Sequence, residues 1–501
     1  MATALHHLGA AELARRIARS EITSRALLEH LLERITRHNG KLNAVVLLRA
    51  DAARRRADEA DTATRAGRSW GPLHGVPVTI KECFDWAGTP STFGRPARAG
   101  YRAAADAVAV ARLIAAGAIV LGKTNVPLDL ADWQTFNAVY GATLNPWDHA
   151  RSPGGSSGGS AVALAAGFSA LELGSDHSGS IRMPAHFCGV YGHKPSYGVV
   201  PVRGHAYAPE FPPDDINVVG PLARSAEDLE LALRVMAGPD GTRARAWRLA
   251  LPESERTALR DFRVAVLTGD ADFPVDAATR QAALDVAAVL KDAGASVRLD
   301  PPLPAPSRQI YELHIALARA ASAFRRDMAD MPPLAAAAAG LDANDHGYEA
   351  LMLRGLTQSH REWLQRNAER QRLRDAWEGW FRDIDVLVAP VSPTPAFPLM
   401  HDVPKPEQTL QLDGAVRPMA DTYFWIALAS VAYLPATTIP AARSATGLPG
   451  GLPVGLPSAL SIGLPIGLQL IGPDYADLRC IALARLLETA HRGFAPPPGY
   501  D

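Results

Sequence analysis

The sequence predicts an α/β fold in which a large mixed central β-sheet is flanked by helices. Residues 71–121 alternate between a β-branched run, an Ala-rich helical pattern and a short apolar run, which is typical of a sheet covered by helices. Residues 263–299 repeat this alternation as a second strand–helix–strand unit. With 501 residues, the core can also bury several polar groups.

The individual elements follow from periodicity and from capping residues. Residues 10–38 have apolar positions at helical spacing and predict two helices, with Thr23 or Ser24 capping the second. A helix within 221–237 has Ser225 as its cap. Further helices are predicted at 50–66, 104–116, 277–293, most of 308–382 and 477–490, and strands at 41–48, 71–81, 118–121, 264–267, 385–389 and 466–471. Residues 391–420 contain many prolines and no clear period.

No linker separates these elements, so we expect residues 1–501 to form one domain with a mainly helical segment at 305–425. The uncharged stretch 444–473 is long enough for a membrane span, but Gly and Pro recur in it and would break a helix. We therefore expect a loop that leads into a buried strand, and no membrane contact. The N-terminus lacks a basic start followed by an apolar run, so we expect no signal peptide and a cytoplasmic protein.

Composition argues against several classes of partner and site. The formal net charge is −1, from 51 Lys and Arg against 52 Asp and Glu without a block of like charge, so nucleic acid is not an expected partner. Cys83, Cys188 and Cys480 are far apart and odd in number, which suits a reducing compartment. The sequence has no His-Glu-x-x-His motif and no spaced cysteine pairs, so we expect neither a metal ion nor another cofactor.

The stretch Arg151–Ser160 contains four glycines and four serines. Such a composition alone would describe a flexible linker. However, Ala161–Ala166 predicts a helix that begins at once and stops at Gly167, and a second small-residue turn follows within Leu171–Ile181. Two Gly/Ser turns flanking a short buried helix indicate a site, because close approach of the backbone to a ligand needs glycine.

Two familiar motifs match the sequence but fail in their context. Gly117–Thr124 has the P-loop pattern, yet its central residues Ala118–Leu121 favour a strand where a phosphate-binding loop is needed. Gly154–Gly158 has the nucleophile-elbow pattern of α/β-hydrolases, yet the residues before it are polar and include two prolines where an elbow requires a buried strand. We therefore expect neither a nucleotide nor an elbow serine.

Lys81 is a candidate base. The chain has only six lysines, at positions 41, 81, 123, 194, 291 and 405. A desolvated lysine can lose its proton, whereas an arginine essentially cannot. Lys81 follows the apolar run Val76–Ile80, but a lysine at a strand end that reaches solvent is an equally good interpretation. These residues alone do not decide between the two.

Seven segments together resemble the amidase signature family of Ser-Ser-Lys amide hydrolases. They occur in family order over nearly the whole chain, and they are Gly75-Val-Pro-Val-Thr-Ile-Lys-Glu82, Gly122-Lys-Thr-Asn125, Asn145-Pro-Trp147, Pro153-Gly-Gly-Ser-Ser-Gly-Gly-Ser160, Gly174-Ser-Asp-His-Ser-Gly-Ser-Ile-Arg182, Cys188-Gly-Val-Tyr-Gly-His-Lys-Pro195 and Pro465-Ile-Gly-Leu-Gln-Leu-Ile-Gly-Pro473. The resemblance implies the amidase signature fold, with a signature core at about 70–240 and 430–490. It also implies that the variable segment 305–425 shapes the substrate pocket.

The resemblance also implies a catalytic triad. It places Ser180 as the nucleophile, Ser156 as the bridging serine after a cis peptide bond, and Lys81 as the base. It implies an oxyanion hole made by backbone N–H groups, which here belong to His177, Ser178, Gly179 and Ser180. The family has glycine at the position of Ser178, and a Cβ at this position restricts the backbone of the loop. We expect Asp176 and Arg182 to brace this loop as a structural pair.

The function implied by the resemblance is hydrolysis of the C–N bond of a small apolar or aryl amide, with carbamates or esters as related substrates. Nine aromatic residues are candidates for an apolar pocket or for the core: Trp133, Phe136, Tyr140, Trp363, Trp377, Trp380, Tyr423, Phe424 and Trp425. A second hypothesis is a glutamine-hydrolysing subunit of a tRNA-dependent amidotransferase. A third is a non-catalytic binding relative, against which the joint presence of Lys81, Ser156 and Ser180 argues. A homodimer would be compatible with the family.

Overall fold

The computed structural model describes residues 4–205, 214–444 and 463–501. Its strands, in chain order, are β1 (Val45–Leu48), β2 (Pro77–Lys81), β3 (Ile119–Thr124), β4 (Phe136–Asn137), β5 (Gly141–Ala142), β6 (Glu172–Asp176), β7 (Tyr191–Lys194), β8 (Val218–Ala223), β9 (Arg263–Val266), β10 (Ser296–Leu299), β11 (Val386–Pro390), β12 (Thr409–Leu412), β13 (Ala415–Pro418), β14 (Ala436–Arg443) and β15 (Pro465–Ile471). Eleven of them form one sheet in the order β1-β3-β2-β6-β8-β7-β14-β15-β11-β9-β10.

Helices cover this sheet. They are α1 (Ala10–Ala18), α2 (Ser24–Leu42), α3 (Ala50–Arg65), α4 (Val108–Ala115), α5 (Gly158–Ala165), α6 (Arg182–Cys188), α7 (Ala226–Met236), α8 (Arg243–Ala246), α9 (Ala277–Asp292), α10 (Ser307–Ser322), α11 (Met331–Ala339), α12 (Tyr348–Thr357), α13 (His360–Trp380), α14 (Thr422–Ser430) and α15 (Asp477–Ala490). The sheet is mixed, since β2 pairs in parallel with β3 and β6 while β8 pairs antiparallel with β6 and β7. The predicted fold class is therefore confirmed.

Alternation along the strands explains why both faces of the sheet are covered. In β3, Val120 packs in a cluster with residues of α4, α7 and α15, while Ile119 and Leu121 pack with residues of α2 and α5. In β11, Val386 packs in the same cluster as Val120. Leu387 points to the opposite face and packs with residues of α10, α13 and α14. Successive strand side chains point to opposite faces, so each buried strand supplies two cores.

The sequence predicted the helix starts better than the strand starts. Thr23 caps α2 by accepting the Ala26 N–H at 3.0 Å, and Ser225 caps α7 by accepting the Asp228 N–H at 3.2 Å. The strand predicted at 41–48 is wrong in its first half, because α2 runs on to Leu42. Asn43 then ends the helix in a left-handed conformation with φ 49°.

Two other segments had no predicted helix or strand: residues 391–420 and the loop before β15. Residues 391–420, which have no clear period, contain the hairpin formed by β12 and β13. The predicted strand at 466–471 is confirmed as β15, whereas the loop predicted before it falls largely on 445–462, outside the described residues. In the part of the chain that is described, none of the helices combines the length and apolarity needed to cross a bilayer.

The close approach of α5 to the sheet gives a stability prediction. A Cβ at Gly159 would lie 2.7 Å from the Asn125 carbonyl oxygen and 2.8 Å from that of Ala44, so Gly159→Ala should lower the free energy of unfolding by about 1–3 kcal/mol. Gly379 in the exposed part of α13 has no atom within 4 Å of such a Cβ, so Gly379→Ala should raise it by about 0.5–1 kcal/mol. Denaturant unfolding of the two variants measures the change in the free energy of unfolding. Equal changes in the two variants would contradict the close packing of α5 against the sheet.

Candidate active site

Lys81 is the last residue of β2 and lies inside the protein. Val78 and Ile80 pack on the side of α4 and α7, so alternation directs Lys81 to the opposite side. Its side chain is fully buried, and Nζ donates to Ser156 Oγ at 2.7 Å and to Ser175 Oγ at 2.9 Å. The interpretation that Lys81 reaches solvent at the strand end is therefore excluded.

The partners of Lys81 distinguish it from two other buried lysines. Burial lowers the pKa of Lys81, Lys123 and Lys194 to about 8. Lys123 Nζ donates to three backbone carbonyls and one hydroxyl, and Lys194 Nζ donates to two backbone carbonyls. Lys81 Nζ has two close hydroxyls and one carbonyl, that of Ser175, at 3.5 Å. Carbonyls only accept and so favour an ammonium, whereas hydroxyls can also donate to a neutral amine.

Ser156 lies in the Gly/Ser turn that precedes α5. The Gly155–Ser156 peptide bond is cis, as the resemblance implied. Gly154 has φ 80°, and a Cβ there would lie 2.5 Å from Pro184 Cα, so this position requires glycine. Ser156 is 1% exposed, and within the described residues the hydrogen bond of its hydroxyl is the one with Lys81. This stretch is thus a tightly packed turn and not a linker.

Ser180 lies in the turn between β6 and α6. Gly179 has φ 89°, and a Cβ there would lie 2.7 Å from Ile426 Cδ1, so the turn depends on glycine at this position. Ser180 is 7% exposed and lines the same cavity as Ser156. Among the residues described, none makes a hydrogen bond with the Ser180 hydroxyl. The structure therefore places Lys81 and Ser156 in contact and leaves the Ser180 hydroxyl open to the cavity.

Asp176 and Arg182 hold the Ser180 turn in place. Both side chains are completely buried, and Arg182 Nη2 lies 3.0 Å from Asp176 Oδ1. Burial alone would raise the pKa of Asp176, but the charge and hydrogen bonds of Arg182 hold that pKa below its ordinary value. Arg182 also donates to Ser430 Oγ at 2.6 Å and to Gln469 Oε1 at 2.9 Å. The expected structural pair is confirmed, and it ties the turn to α14 and β15.

The four N–H groups expected to bind an oxyanion are not equivalent. The Gly179 N–H donates to Asp176 Oδ1 at 2.8 Å. Within the described ranges, the N–H groups of His177, Ser178 and Ser180 donate to no protein acceptor. Three donors therefore remain at this turn for an incoming oxygen atom.

Ser178, the departure from the family pattern, fits the turn without strain. Its φ is not positive, so the Cβ does not meet the restriction that a left-handed backbone would impose. Ser178 Oγ lies 3.1 Å from His177 Nδ1 and 3.1 Å from His314 Nε2. His314 belongs to α10, so Ser178 connects the turn to the mainly helical segment.

Ser175, His205 and Asn217 extend the contacts of Lys81, and sequence reasoning did not single them out. His205 Nε2 lies 2.8 Å from Ser175 Oγ, and Asn217 Nδ2 lies 3.2 Å from His205 Nδ1. Because an amide nitrogen only donates, Nδ1 accepts and Nε2 carries the proton. Burial, followed by the Lys81 charge, lowers the pKa of His205 to about 3, so the ring is a neutral donor to Ser175.

A cavity of about 690 Å³ lies over Ser156 and Ser180. Of the nine aromatic candidates, Trp133, Phe136 and Tyr423 line it. The other six pack elsewhere: Tyr140, Trp363, Trp377, Trp380, Phe424 and Trp425. Arginine and aspartate side chains also line the wall, so it is more polar than the aromatic candidates suggested.

Cys83 lies two residues after Lys81, but burial raises the pKa of its thiol to about 12. The three cysteines are buried and unpaired. Across residues 4–205, 214–444 and 463–501, the structure has no group of three or more His, Cys, Asp or Glu side chains arranged to bind a metal ion.

Comparison with known proteins identifies the family. The family model described as Amidase matches residues 26–481. The chain belongs to the amidase family. The resemblance inferred from the motifs is confirmed, and the chain is an enzyme of a class that hydrolyses amide C–N bonds.

Similar proteins within the family differ in activity. A glutamyl-tRNA(Gln) amidotransferase subunit of Chloroflexus aurantiacus is 33% identical over 473 residues, covering 90% of this chain and 93% of the relative. An acylamidase of Rhodococcus erythropolis is 32% identical over 459 residues, covering 89% and 91%. The solved structure of a bacterial aryl acylamidase is 27% identical, with a TM-score of 0.77 and coverage of 97% of this chain and 96% of that one.

Removing one partner of the buried Asp176–Arg182 pair should strongly destabilise the protein. Arg182→Ala leaves the Asp176 carboxylate buried without its cation, so we expect the free energy of unfolding to fall by about 3–5 kcal/mol. The control is Arg15→Ala, because Arg15 and Glu227 form an ion pair whose side chains are 48% and 47% exposed. That variant should lose at most about 1 kcal/mol. Urea unfolding measures the free energy of unfolding of both variants. A similar decrease in Arg182→Ala and Arg15→Ala would show that Arg182 does not brace the turn.

Proposed function

We propose that this enzyme hydrolyses a small amide through an acyl-enzyme on Ser180, with Ser156 as the bridging serine and Lys81 as the base. The observation that carries the proposal is the 2.7 Å hydrogen bond between Lys81 Nζ and Ser156 Oγ, in a buried site whose cavity also contains Ser180. The hydroxyl-rich surroundings of Lys81 support a neutral amine. This amine takes a proton from Ser156, which in turn takes the proton of Ser180.

The remaining steps use groups around the same cavity. The activated Ser180 oxygen attacks the amide carbonyl, and the N–H groups of His177, Ser178 and Ser180 bind the developing oxyanion. Each such donor contributes roughly 2.7–4 kcal/mol to transition-state stabilisation. The relay then returns the proton to the departing amine, which is a poor leaving group without it. A water molecule repeats the sequence on the acyl-enzyme and restores Ser180.

His205 acts in this proposal as a positioning residue. Its neutral ring donates to Ser175 Oγ, and Ser175 Oγ lies 2.9 Å from Lys81 Nζ. Ser175 Oγ in turn accepts one N–H of Lys81, which leaves the single lone pair of a neutral Nζ for the proton of Ser156. His205 thereby helps to hold Lys81 in place and aimed at Ser156.

The substrate that we propose is a class of compounds and not a single molecule. Small amides, including aryl amides, fit a cavity of about 690 Å³ with three aromatic side chains in its wall. Carbamates and esters react by the same acyl transfer and are proposed as secondary substrates. The second candidate is glutamine hydrolysis as part of an amidotransferase, because relatives such as that of Chloroflexus aurantiacus bear that name.

Serine substitutions test the proposal. Ser180→Ala and Ser156→Ala should each lower kcat on any cleaved amide by roughly 10⁴-fold or more, because the nucleophile or the proton path is lost. Ser160→Ala is the matched control, since Ser160 is buried in α5 and contacts Thr124 Oγ1 at 2.9 Å, away from the relay. Its kcat should stay within a few-fold of the wild type.

The measurement is turnover on anilides, aliphatic amides, carbamates, esters and L-glutamine. Turnover of anilides or aliphatic amides is expected. Glutamine as the sole cleaved compound, together with co-purifying subunits, would favour the second candidate instead. Wild-type turnover by Ser180→Ala on a compound that the parent cleaves would overturn the acyl-enzyme assignment.

A further inference from the structure

Arg319 is a cation in the cavity wall that the proposed mechanism does not use. It lies on α10, five residues after His314, whose ring contacts Ser178 Oγ at 3.1 Å. Arg319 Nη2 donates to the phenol oxygens of Tyr348 at 2.6 Å and Tyr423 at 2.8 Å. Five residues of helix advance about 7.5 Å, so the guanidinium lies within the reach of a small substrate from the Ser180 turn.

The charge of Arg319 is not balanced by a carboxylate in the described part of the chain. No Asp or Glu there lies within ion-pair distance of its guanidinium, whereas two other cations of the wall are paired: Arg95 with Asp129 and Arg325 with Asp214. The acids Asp132, Asp327 and Asp330 also line the wall, and Asp132 Oδ1 accepts the Gln134 N–H at 3.0 Å.

Three of the five N–H donors of Arg319 have no partner among the described residues. Nε is buried without a hydrogen bond, and Nη1 makes none with the residues that the structure describes. A guanidinium presents its donors as a fork that matches a carboxylate. The two phenols accept hydrogen bonds from Nη2, so the N–H groups of Nε and Nη1 remain available for a ligand.

The pKa of Tyr423 reflects the positive charge around it. Burial would raise the pKa of Tyr423, but the charges of Lys405 and Arg319 lower it to about 8. Tyr423 is therefore mostly an uncharged phenol at pH 7, and Arg319 keeps its full charge beside it. A site that lowers the pKa of a phenol in this way also favours an anionic group of a ligand.

We propose that Arg319 binds a carboxylate carried by the substrate, several bonds away from the amide that Ser180 attacks. This inference rests on the proposed function and narrows it to amides with a second, anionic group. Arg319 is a specificity residue, and it takes no part in the proton relay.

The test uses substrates that differ in charge. Pentananilide is neutral, glutaranilic acid adds a carboxylate on the acyl side, and N-pentanoyl-4-aminobenzoate adds one on the amine side. We expect the wild type to cleave at least one of the two anionic compounds with a kcat/KM at least about tenfold above that of pentananilide. Released amine is measured by chromatography.

Variants then assign the preference. Arg319→Gln should abolish it while leaving kcat/KM for pentananilide within a few-fold, and Arg319→Lys should retain part of it. Arg326→Gln is the control, because Arg326 lines the outer cavity and is exposed, and its preference should be unchanged. A wild type without a charge preference overturns the inference whether or not the variants fold, and so does an equal loss on all three substrates in Arg319→Gln. Neither result affects the proposed function, which fails only if Ser180→Ala keeps its turnover.

Discussion

The proposed active site depends on a lysine amino group buried among hydroxyls. Removing Lys81 from water makes its charged form unfavourable, but Lys123 and Lys194 are buried too and their pKa values are lowered equally, to about 8. What separates Lys81 is the direction of its hydrogen bonds. Carbonyls around Lys123 and Lys194 need N–H donors, whereas Ser156 and Ser175 can give a proton as well as accept one. Burial makes all three lysines unusual, and the hydroxyl partners suit Lys81 alone to act as a base.

The scaffold is rigid where this chemistry needs it. β2 fixes Lys81 on one side of the sheet, the glycine-dependent turn before α5 fixes Ser156, and the turn held by Asp176 and Arg182 carries Ser180. Arg182 reaches α14 and β15, so elements almost 300 residues apart in the chain meet at the Ser180 turn. Arg319 of α10 and Tyr423 also line the cavity, and both belong to the segment 305–425 that the resemblance predicts to shape the substrate pocket.

The sequence predicted the scaffold well and the finer site less well. Strand–helix alternation predicted the α/β sheet, but the hairpin at 409–418 was missed because it is short and follows a proline-rich run. The residues around Lys81 were equally compatible with a buried base and with a lysine that reaches solvent. The fold shows that Lys81 is buried, and this excludes the second interpretation. His205 and Asn217 belong to no motif: His205 contacts Ser175, and Asn217, which directly precedes β8, contacts His205. Trp377 and Trp425 illustrate the same limit, since aromatic composition cannot distinguish a pocket from a core.

The protonation of Lys81 is the central claim, and it can be measured directly. In protein labelled with ¹³C at lysine Cε, the chain gives six lysine signals, and the one missing from Lys81→Met is that of Lys81. Its pKa should lie near 8, below the ordinary 10.5, so the amine is charged at low pH and becomes neutral as the pH rises through 8. We expect kcat/KM to rise over that same interval and then to level off. A Lys81 signal that titrates near 10.5, or a rate that does not follow it, would contradict the account.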